Sequence, residues 1–155
     1  MISLDILYGD GLLTEEDLET VKTIFAKEKK SRVNFDLVIK EKYPLYRKAF
    51  KAFQAQENDE YQQEFIQFCE DYSYWLEDFS LYMALKDYHH GSAWFQWDKA
   101  IAKRKPEAIS QWQEKLGHEM FYHKFLQFSF FKQWRNLKEY ANEKNVKIFG
   151  DIPIY

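Results

Sequence analysis

The chain has 155 residues and a mass of 18.9 kDa, which gives room for one domain with its own core, and 19% of its residues are aromatic. Its 22 basic and 25 acidic side chains give a formal net charge of -3 and a pI near 5.8, which argues against a nucleic-acid partner. The first residues lack the basic region of a signal peptide, and no stretch approaches the ~18 apolar residues of a membrane span. We therefore predict a cytoplasmic protein that binds neither nucleic acid nor a membrane.

The first clear helix start follows Thr14, whose side chain can cap a helix and which is followed by three carboxylates in the first turn. Leu18, Val21 and Phe25 then recur at the spacing of one buried helix face. This pattern predicts an amphipathic helix that packs on the core through these three residues.

A second helical pattern begins at residues 34–36. Pro44 is expected to divide it, because proline lacks a backbone donor and disfavours helical angles at the residue before it. The two pieces would end within residues 38–42 and near Gln54.

A third helix is predicted to begin at residues 58–60 and to continue without a breaker to Lys86. A helix of roughly 28 residues would be a rod of about 42 Å. Cys69, the only cysteine, cannot form an internal disulfide and is expected to be a small buried hydrophobe on this helix. The apolar residues that set the pattern are Phe65, Phe68, Tyr72, Trp75, Leu76, Phe79, Tyr82 and Met83.

The last predicted helix follows a loop at residues 91–98 and begins near Pro106, because proline suits the first turn of a helix. It is expected to run to about Glu143, and Gly117 can kink it. The helix is apolar over much of its circumference, so several elements must cover it.

One strand is predicted at the end of the chain, where Val146, Ile148, Phe149, Ile152 and Ile154 lie close together. A single strand cannot satisfy its own backbone. The sequence therefore divides into a helical subdomain at residues 1–145 and an incomplete strand unit at residues 146–155. An exposed strand from Val146 to Ile154 would also favour self-association with another copy.

Two blocks of the sequence resemble one enzyme family, the 4-alpha-glucanotransferases that are called amylomaltases or disproportionating enzymes. Residues 75–86 are similar to the family's W-L-x-D-Y-A-L-F-x-A-L-K segment, and Gly91, Trp94 and Trp97 follow them. The other block, which carries most of the specificity through its Gly-Asp-x-Pro end, consists of Gln127, Phe131, Gln133, Trp134, Leu137, Tyr140, Ala141, Gly150, Asp151 and Pro153.

The resemblance implies a mainly α fold, namely a helical insertion subdomain of long packed helices whose C-terminal strand belongs to a (β/α)8 barrel in the full-length enzyme. It also implies that the nucleophilic aspartate, the acid/base glutamate and the stabilising aspartate lie beyond Tyr155. No catalytic residue is then expected in this chain, which would be an inactive fragment by itself. Asn145 stands where the family usually has a glycine, and asparagine also tolerates the left-handed conformation of a helix end.

The activity implied for the parent enzyme is transfer of α-1,4-glucan segments between malto-oligosaccharides, with retention through a covalent glycosyl-enzyme. Its partners are then malto-oligosaccharides and other α-1,4-glucans, and no cofactor and no metal is implied. Asp151 follows Gly150 at the end of the predicted strand, where barrel enzymes expose charged groups to substrate. The resemblance gives it a supporting role in the sugar pocket.

Trp94 and Trp97 can stack on sugar rings, although packing of their loop onto the helices also explains them. A metal site at His118 and His123 is not expected, because residues five apart lie about 140° apart around a helix. Two alternative functions remain open at this point. The chain would be a stand-alone helical interaction module in one and a non-catalytic glucan-binding domain in the other.

Overall fold

A computed structural model describes residues 2–27, 32–56 and 59–150 of the chain. Within these residues the structure is built from seven α-helices and one short 3-10 helix at Trp94–Gln96. None of the helices in this part of the chain is long and apolar enough to cross a membrane. The α-helices are α1 (Leu4–Gly9), α2 (Glu15–Ala26), α3 (Phe35–Ala55), α4 (Asp59–Asp71), α5 (Ser73–Tyr88), α6 (Lys99–Ala102) and α7 (Pro106–Glu143).

The start of α2 confirms the helix that the sequence predicts after Thr14. The Thr14 hydroxyl accepts a hydrogen bond from the Asp17 backbone N–H at 3.4 Å, and the Asp17 carboxylate accepts one from the Thr14 N–H at 2.9 Å. This reciprocal capping box satisfies two N–H groups that have no partner within the helix. The Asp17 carboxylate also binds Lys48 Nζ at 2.7 Å, which joins α2 to α3.

Helix α3 runs without interruption through Pro44, so the predicted division of this segment is wrong. Pro44 lies on the exposed side of the helix, where water can reach the carbonyl group that the proline leaves without a donor. The next turns carry Tyr46, Ala49 and Phe50 into the core. Their burial offsets the cost of the proline, because tertiary packing supplies most of the stability of protein helices.

The predicted long third helix is also wrong, because it is broken at Tyr72 into α4 and α5. Tyr72 has φ -107° and ψ 10°, outside the helical region. The Ser73 hydroxyl donates to the Glu70 carbonyl oxygen at 2.9 Å and satisfies an acceptor at the end of α4. The break allows α4 and α5 to pack against different parts of α7.

Helix α7 begins at Pro106 and ends at Glu143, as the sequence predicts. Leu116 has non-helical angles, φ -109° and ψ 15°, and this places a kink beside Gly117. At the C-terminal end, Asn145 has φ 58° and its N–H donates to Asn142 at 2.9 Å, while the Val146 N–H donates to Ala141 at 2.8 Å. These two bonds form a Schellman cap, so Asn145 takes the left-handed position that glycine usually occupies.

The main core lies where α3, α4 and the middle of α7 meet α1 and α2. Phe50, Phe53 and Phe125 are almost completely buried, and the rings of Phe53 and Phe125 stack with centroids 5.0 Å apart. Full burial of each such ring is worth roughly 1.5–3 kcal/mol. Gln133 joins the core to the N-terminal segment, because its amide accepts from the Ser3 N–H at 2.7 Å and donates to the Ser3 carbonyl at 3.2 Å.

A second, smaller core joins α5, α6 and the first half of α7. Its members lie before and after the loop at residues 91–98 in the chain, and Trp97 lies within it. This loop is therefore held against the second core. The buried members are Leu81, Ala84, Leu85, Trp97, Ile101, Ala108, Leu116 and Met120.

No strand occurs in residues 2–27, 32–56 and 59–150, so the predicted C-terminal strand is not seen in its described half. Residues 146–150 leave the end of α7 as exposed, non-helical chain. The reason is that a strand needs a neighbouring strand for its hydrogen bonds, and this part of the chain offers none. The other half of the prediction, residues 151–155, lies outside the described residues.

Candidate functional site

A cavity of about 330 Å³ opens between α5, the loop at residues 91–98, α6 and the start of α7. Its walls belong to the second core, and its mouth carries two charged side chains and exposed aromatic rings. The lining residues are Asp78, Leu81, Tyr82, Leu85, Trp94, Trp97, Ile101, Ala102, Arg104 and Ile109. The cavity therefore contains both tryptophans that the sequence singles out.

The two tryptophans differ in what they can contact. Trp94 has 53% of its surface exposed, whereas Trp97 has 8%. The Trp97 ring stacks on His89 with centroids 5.4 Å apart and an interplanar angle of 15°, and its indole N–H donates to the Ser92 carbonyl at 3.2 Å. Trp97 thus holds the loop on the core and presents only part of its ring to the cavity, while Trp94 has ring surface free for another molecule.

Asp78 and Arg104 form an ion pair at the mouth of this cavity. Arg104 Nη2 donates to both carboxylate oxygens of Asp78, at 2.8 and 2.9 Å. Arg104 has φ 53°, so an arginine occupies a left-handed position at the end of α6. The sequence does not reveal this pair, because the two residues are 26 positions apart and no local pattern links them.

Among the acidic residues of the broken third helix, Asp71, Glu77 and Asp78 are paired with neighbouring polar side chains. Glu77 accepts from Lys124 Nζ at 2.5 Å, and Asp71 accepts from Gln67 at 2.8 Å. Glu70 and Asp71 end α4, whereas Glu77 and Asp78 lie on α5, so the break at Tyr72 separates the two acidic pairs. This arrangement fits a solvated face with structural ion pairs.

A polar network joins α3, α5 and α7. Arg47 Nη2 lies 2.6 Å from Glu119 Oε2 and 4.0 Å from Asp87 Oδ2, and its guanidinium carbon lies 3.5 Å from the centre of the Tyr122 ring. His123 Nε2 lies 3.0 Å from Asp87 Oδ2. The network fixes the relative positions of three helices.

Three pKa values in this network are shifted, and burial raises that of Tyr122 to about 12. Burial lowers the pKa of His123 below its ordinary value, and the nearby Asp87 carboxylate opposes the shift without reversing it. Burial by itself would raise the pKa of Glu119, but the hydrogen bond and the charge of Arg47 outweigh burial and lower it. The expected state near neutral pH is a neutral His123 and an ionised Glu119.

The remaining candidates for chemistry do not form a reactive centre in the described part of the chain. His118 is largely exposed with its ring against Phe50, whereas His123 is buried against Asp87. No group of three or more possible metal ligands occurs among the described residues. Burial raises the pKa of the Cys69 thiol to about 11, which keeps it protonated and unreactive. Asp151 lies outside the described residues.

Comparisons with known proteins agree over the whole length of the chain. The profile of the 4-alpha-glucanotransferase family matches residues 1–155. The 4-alpha-glucanotransferase of Synechocystis sp. is 42% identical over 155 residues, with 100% of this chain and 30% of the relative covered. That of Clostridium butyricum is 42% identical over 154 residues, with 99% and 30% covered.

A solved structure has the same arrangement of helices. It is the amylomaltase from Streptococcus agalactiae in complex with acarbose, which matches with a TM-score of 0.83 and 31% identity and covers 99% of this chain and 30% of that chain. The chain therefore belongs to the 4-alpha-glucanotransferase family. It spans about 30% of the length of the relatives that it matches.

Proposed function

We propose that this chain is the helical part of a 4-alpha-glucanotransferase that transfers α-1,4-glucan segments between malto-oligosaccharides. The observation that carries the proposal is the match of the family profile to every residue, together with the TM-score of 0.83 against an amylomaltase solved with acarbose. Acarbose in that relative supports a glucan as the substrate class. We also propose a cytoplasmic location, where a reducing environment suits the unpaired Cys69.

The proposed reaction proceeds in two displacements. A carboxylate nucleophile attacks the anomeric carbon, and an acid donates a proton to the departing glycosidic oxygen, which releases the first part of the glucan. The same acid/base group then takes a proton from the 4-hydroxyl of the acceptor, whose oxygen displaces the carboxylate. Two inversions give net retention. The resemblance assigns these catalytic groups to segments beyond Tyr155, so we expect no transfer by this chain alone.

The role that we propose for this chain is to support the barrel of the parent enzyme. Residues 146–155 would add a strand to that barrel, and the exposed C-terminal third of α7 would pack against it. The exposed rings and aliphatic groups at Trp134, Leu137 and Tyr140 support this proposal, because a contiguous apolar face needs a partner. Asp151 would then reach the rim of the barrel and support the sugar pocket through hydrogen bonds.

Immunodepletion tests the proposed function in the cells that make the protein. An antibody against this chain should remove the activity that releases glucose from maltotriose, and an unrelated antibody should leave it. The polypeptide that is recovered should be about three times as long as this chain, since the chain covers 30% of its relatives. Recovery of only a 155-residue product, with the activity left in the lysate, would contradict the proposal.

A second candidate function is a stand-alone module that associates with its own copy. The observation that favours it is the exposure of the chain after α7, where Val146 is 55%, Ile148 is 42% and Phe149 is 88% exposed. Unpaired apolar backbone of this kind can add to another strand. Size-exclusion chromatography with light scattering distinguishes the cases, because a dimer that Phe149→Asp converts to a monomer would support the module.

A further inference from the structure

We propose that the cavity beside Trp94 is a binding site for the end of an α-1,4-glucan, so that this chain holds substrate itself. The choice of glucan as the occupant rests on the proposed function, whereas the site rests on the geometry of the cavity. The five side chains that would make the contacts are Asp78, Tyr82, Trp94, Trp97 and Arg104.

The size and depth of the cavity suit one end of an oligosaccharide. Its volume of about 330 Å³ is near the lower limit of the ~300–1,000 Å³ of known ligand pockets. Leu81, Leu85 and Ile101 are each at most 5% exposed and form an apolar inner wall. A glucosyl ring has apolar C–H faces that can lie on such a wall while its hydroxyl groups point to the mouth.

The aromatic rings supply a surface on which a sugar can stack. Trp94 is 53% exposed and Tyr82 is 40% exposed, although both line a cavity whose deeper walls are buried. The Tyr82 ring is fixed against Trp97, with centroids 5.5 Å apart and an interplanar angle of 41°. Tyrosine and tryptophan combine a large apolar face with a polar group, so they suit a ligand that is apolar on its faces and polar at its edges.

The ion pair at the mouth supplies the polar contacts. Both carboxylate oxygens of Asp78 accept hydrogen bonds from Arg104, and each keeps a lone pair that can accept from a sugar hydroxyl. The Arg104 guanidinium group keeps further N–H donors for the sugar. A sugar hydroxyl both donates and accepts, so it can bind both members of the pair. An exposed ion pair adds little stability, which makes this pair a weak structural requirement.

The backbone at Arg104 is an independent indication that its side chain matters. The end of α6 is closed by Arg104 N–H to Ile101 at 2.9 Å and by Lys105 N–H to Ala100 at 3.0 Å, and this turn puts Arg104 at φ 53°. Glycine avoids the steric cost that other residues meet there. An arginine at this position therefore carries a cost, and it places a guanidinium group at the mouth of the cavity.

Affinity electrophoresis of the 155-residue chain tests the proposal. The chain carries a net charge of -3, so it migrates in a native gel, and immobile amylopectin should slow it in proportion to binding. Dextran, an α-1,6-glucan, should not slow it, and soluble maltoheptaose should restore its mobility. Trp94→Ala should bind about tenfold more weakly, because the stacking surface is lost.

Trp134→Ala is the matched control. It makes the same chemical change at a tryptophan that is 40% exposed on α7 and lies outside the cavity, so binding should stay at the wild-type level. Neither change alters the charge of the chain. If Trp134→Ala weakens binding as much as Trp94→Ala, the site is not this cavity and the proposal is wrong.

Arg104→Gly separates binding from folding. Glycine relieves the left-handed backbone at this position, so the melting temperature should be unchanged or higher, while retardation by amylopectin should decrease. A helical wild-type chain that amylopectin does not slow, or an Arg104→Gly variant that binds as well as wild type, would overturn the proposal. Because the readout is binding by this chain, the result is independent of whether the depleted lysate loses transfer activity.

Discussion

The middle and the C-terminal third of α7 both carry large apolar side chains, but they differ in what covers those side chains. In the middle, Phe125 is completely buried and Phe128 is 4% exposed. In the C-terminal third, Trp134 is 40%, Leu137 is 53% and Tyr140 is 60% exposed. The apolar pattern of this helix therefore reflects two sets of partners, and the described residues of this chain supply one of them.

The difference explains how a chain that covers 30% of its relatives can have a well-packed core. The main core is complete because α3, α4 and the middle of α7 bury their aromatic rings on one another. The last third of α7 adds length to the helix without adding to that core. The two stretches should therefore respond differently to the same substitution.

The largest predicted effect compares truncation of one aromatic ring in each stretch. Phe125→Ala should lower the free energy of unfolding by about 3–5 kcal/mol, because it opens a cavity between rings of α3 and α7. Trp134→Ala should cost less than about 1 kcal/mol, as exposed positions usually do. Urea unfolding followed by circular dichroism measures both. Equal losses would mean that the C-terminal third is packed within this chain.

A smaller effect is expected at Gln133, where the two stretches of α7 meet. Gln133→Ala should cost about 1–2 kcal/mol, because the backbone N–H and carbonyl of Ser3 both lose their partner. Gln111→Ala changes the same residue type at an exposed position near the start of α7 and should be close to neutral. The same urea titration measures the free energy of unfolding of both variants. Equal losses would show that the hydrogen bonds to Ser3 do not contribute to stability.

The middle of α7 should also make stability depend on pH through His123. Burial lowers the pKa of His123 from its ordinary 6.5, so below that pH the unfolded chain binds more protons than the native chain. Its contribution is present above 6.5 and is lost as pH falls from 6.5 toward the lowered native pKa. The corresponding loss from Glu119 begins only below its ordinary 4.5.

Thermal melts between about pH 7.5 and about pH 5 test this prediction. This interval includes the ordinary pKa of histidine, and the pKa of His123 in the folded chain is lower than that. Wild type should lose stability across the interval, and His123→Gln should flatten the curve. His118→Gln alters a largely exposed histidine five positions away and should keep the wild-type slope. If the His118 variant flattens the curve and the His123 variant does not, the assignment is wrong.

The smallest predicted effect lies at the end of α7. Asn145→Gly should raise stability by no more than a few tenths of a kcal/mol, because asparagine already tolerates φ 58°. Asn145→Ala should reduce helix content near the end of α7, since alanine is disfavoured at positive φ. Helical ellipticity at low temperature measures the change. A large loss of global stability in Asn145→Ala would show that this end is coupled to the core.

Local signals in the sequence were sufficient for several parts of the fold. Thr14 with Asp17 marked the start of α2, Pro106 marked the start of α7, and Asn145 marked its end. Each of these features depends on backbone groups within a few residues, which a short sequence window contains. The same window was misleading at Pro44, because the proline lies on the exposed side of α3 and the following turns are held by the core.

Features that depend on distant residues could not be predicted in this way. Tyr72 has no breaker beside it, and the end of α4 is set by packing against α7 and by the Ser73 hydroxyl. At the candidate site, the chemistry of the side chains singled out Trp94 and Trp97 without distinguishing them. The ion pair between Asp78 and Arg104 could not be predicted, because it joins residues 26 positions apart. The left-handed backbone of Arg104 carries no residue-type signal, since glycine or asparagine is the usual choice there.

Amide hydrogen exchange of the 155-residue chain tests most directly whether the two stretches of α7 have different partners. We expect amides in residues 120–131 to exchange at least about a hundredfold more slowly than those in residues 134–143, because only the former are held by a buried core. This result would support a C-terminal third whose partner belongs to the rest of the parent enzyme. Equal protection of both stretches would contradict the account, since it would mean that α7 is already complete within this chain.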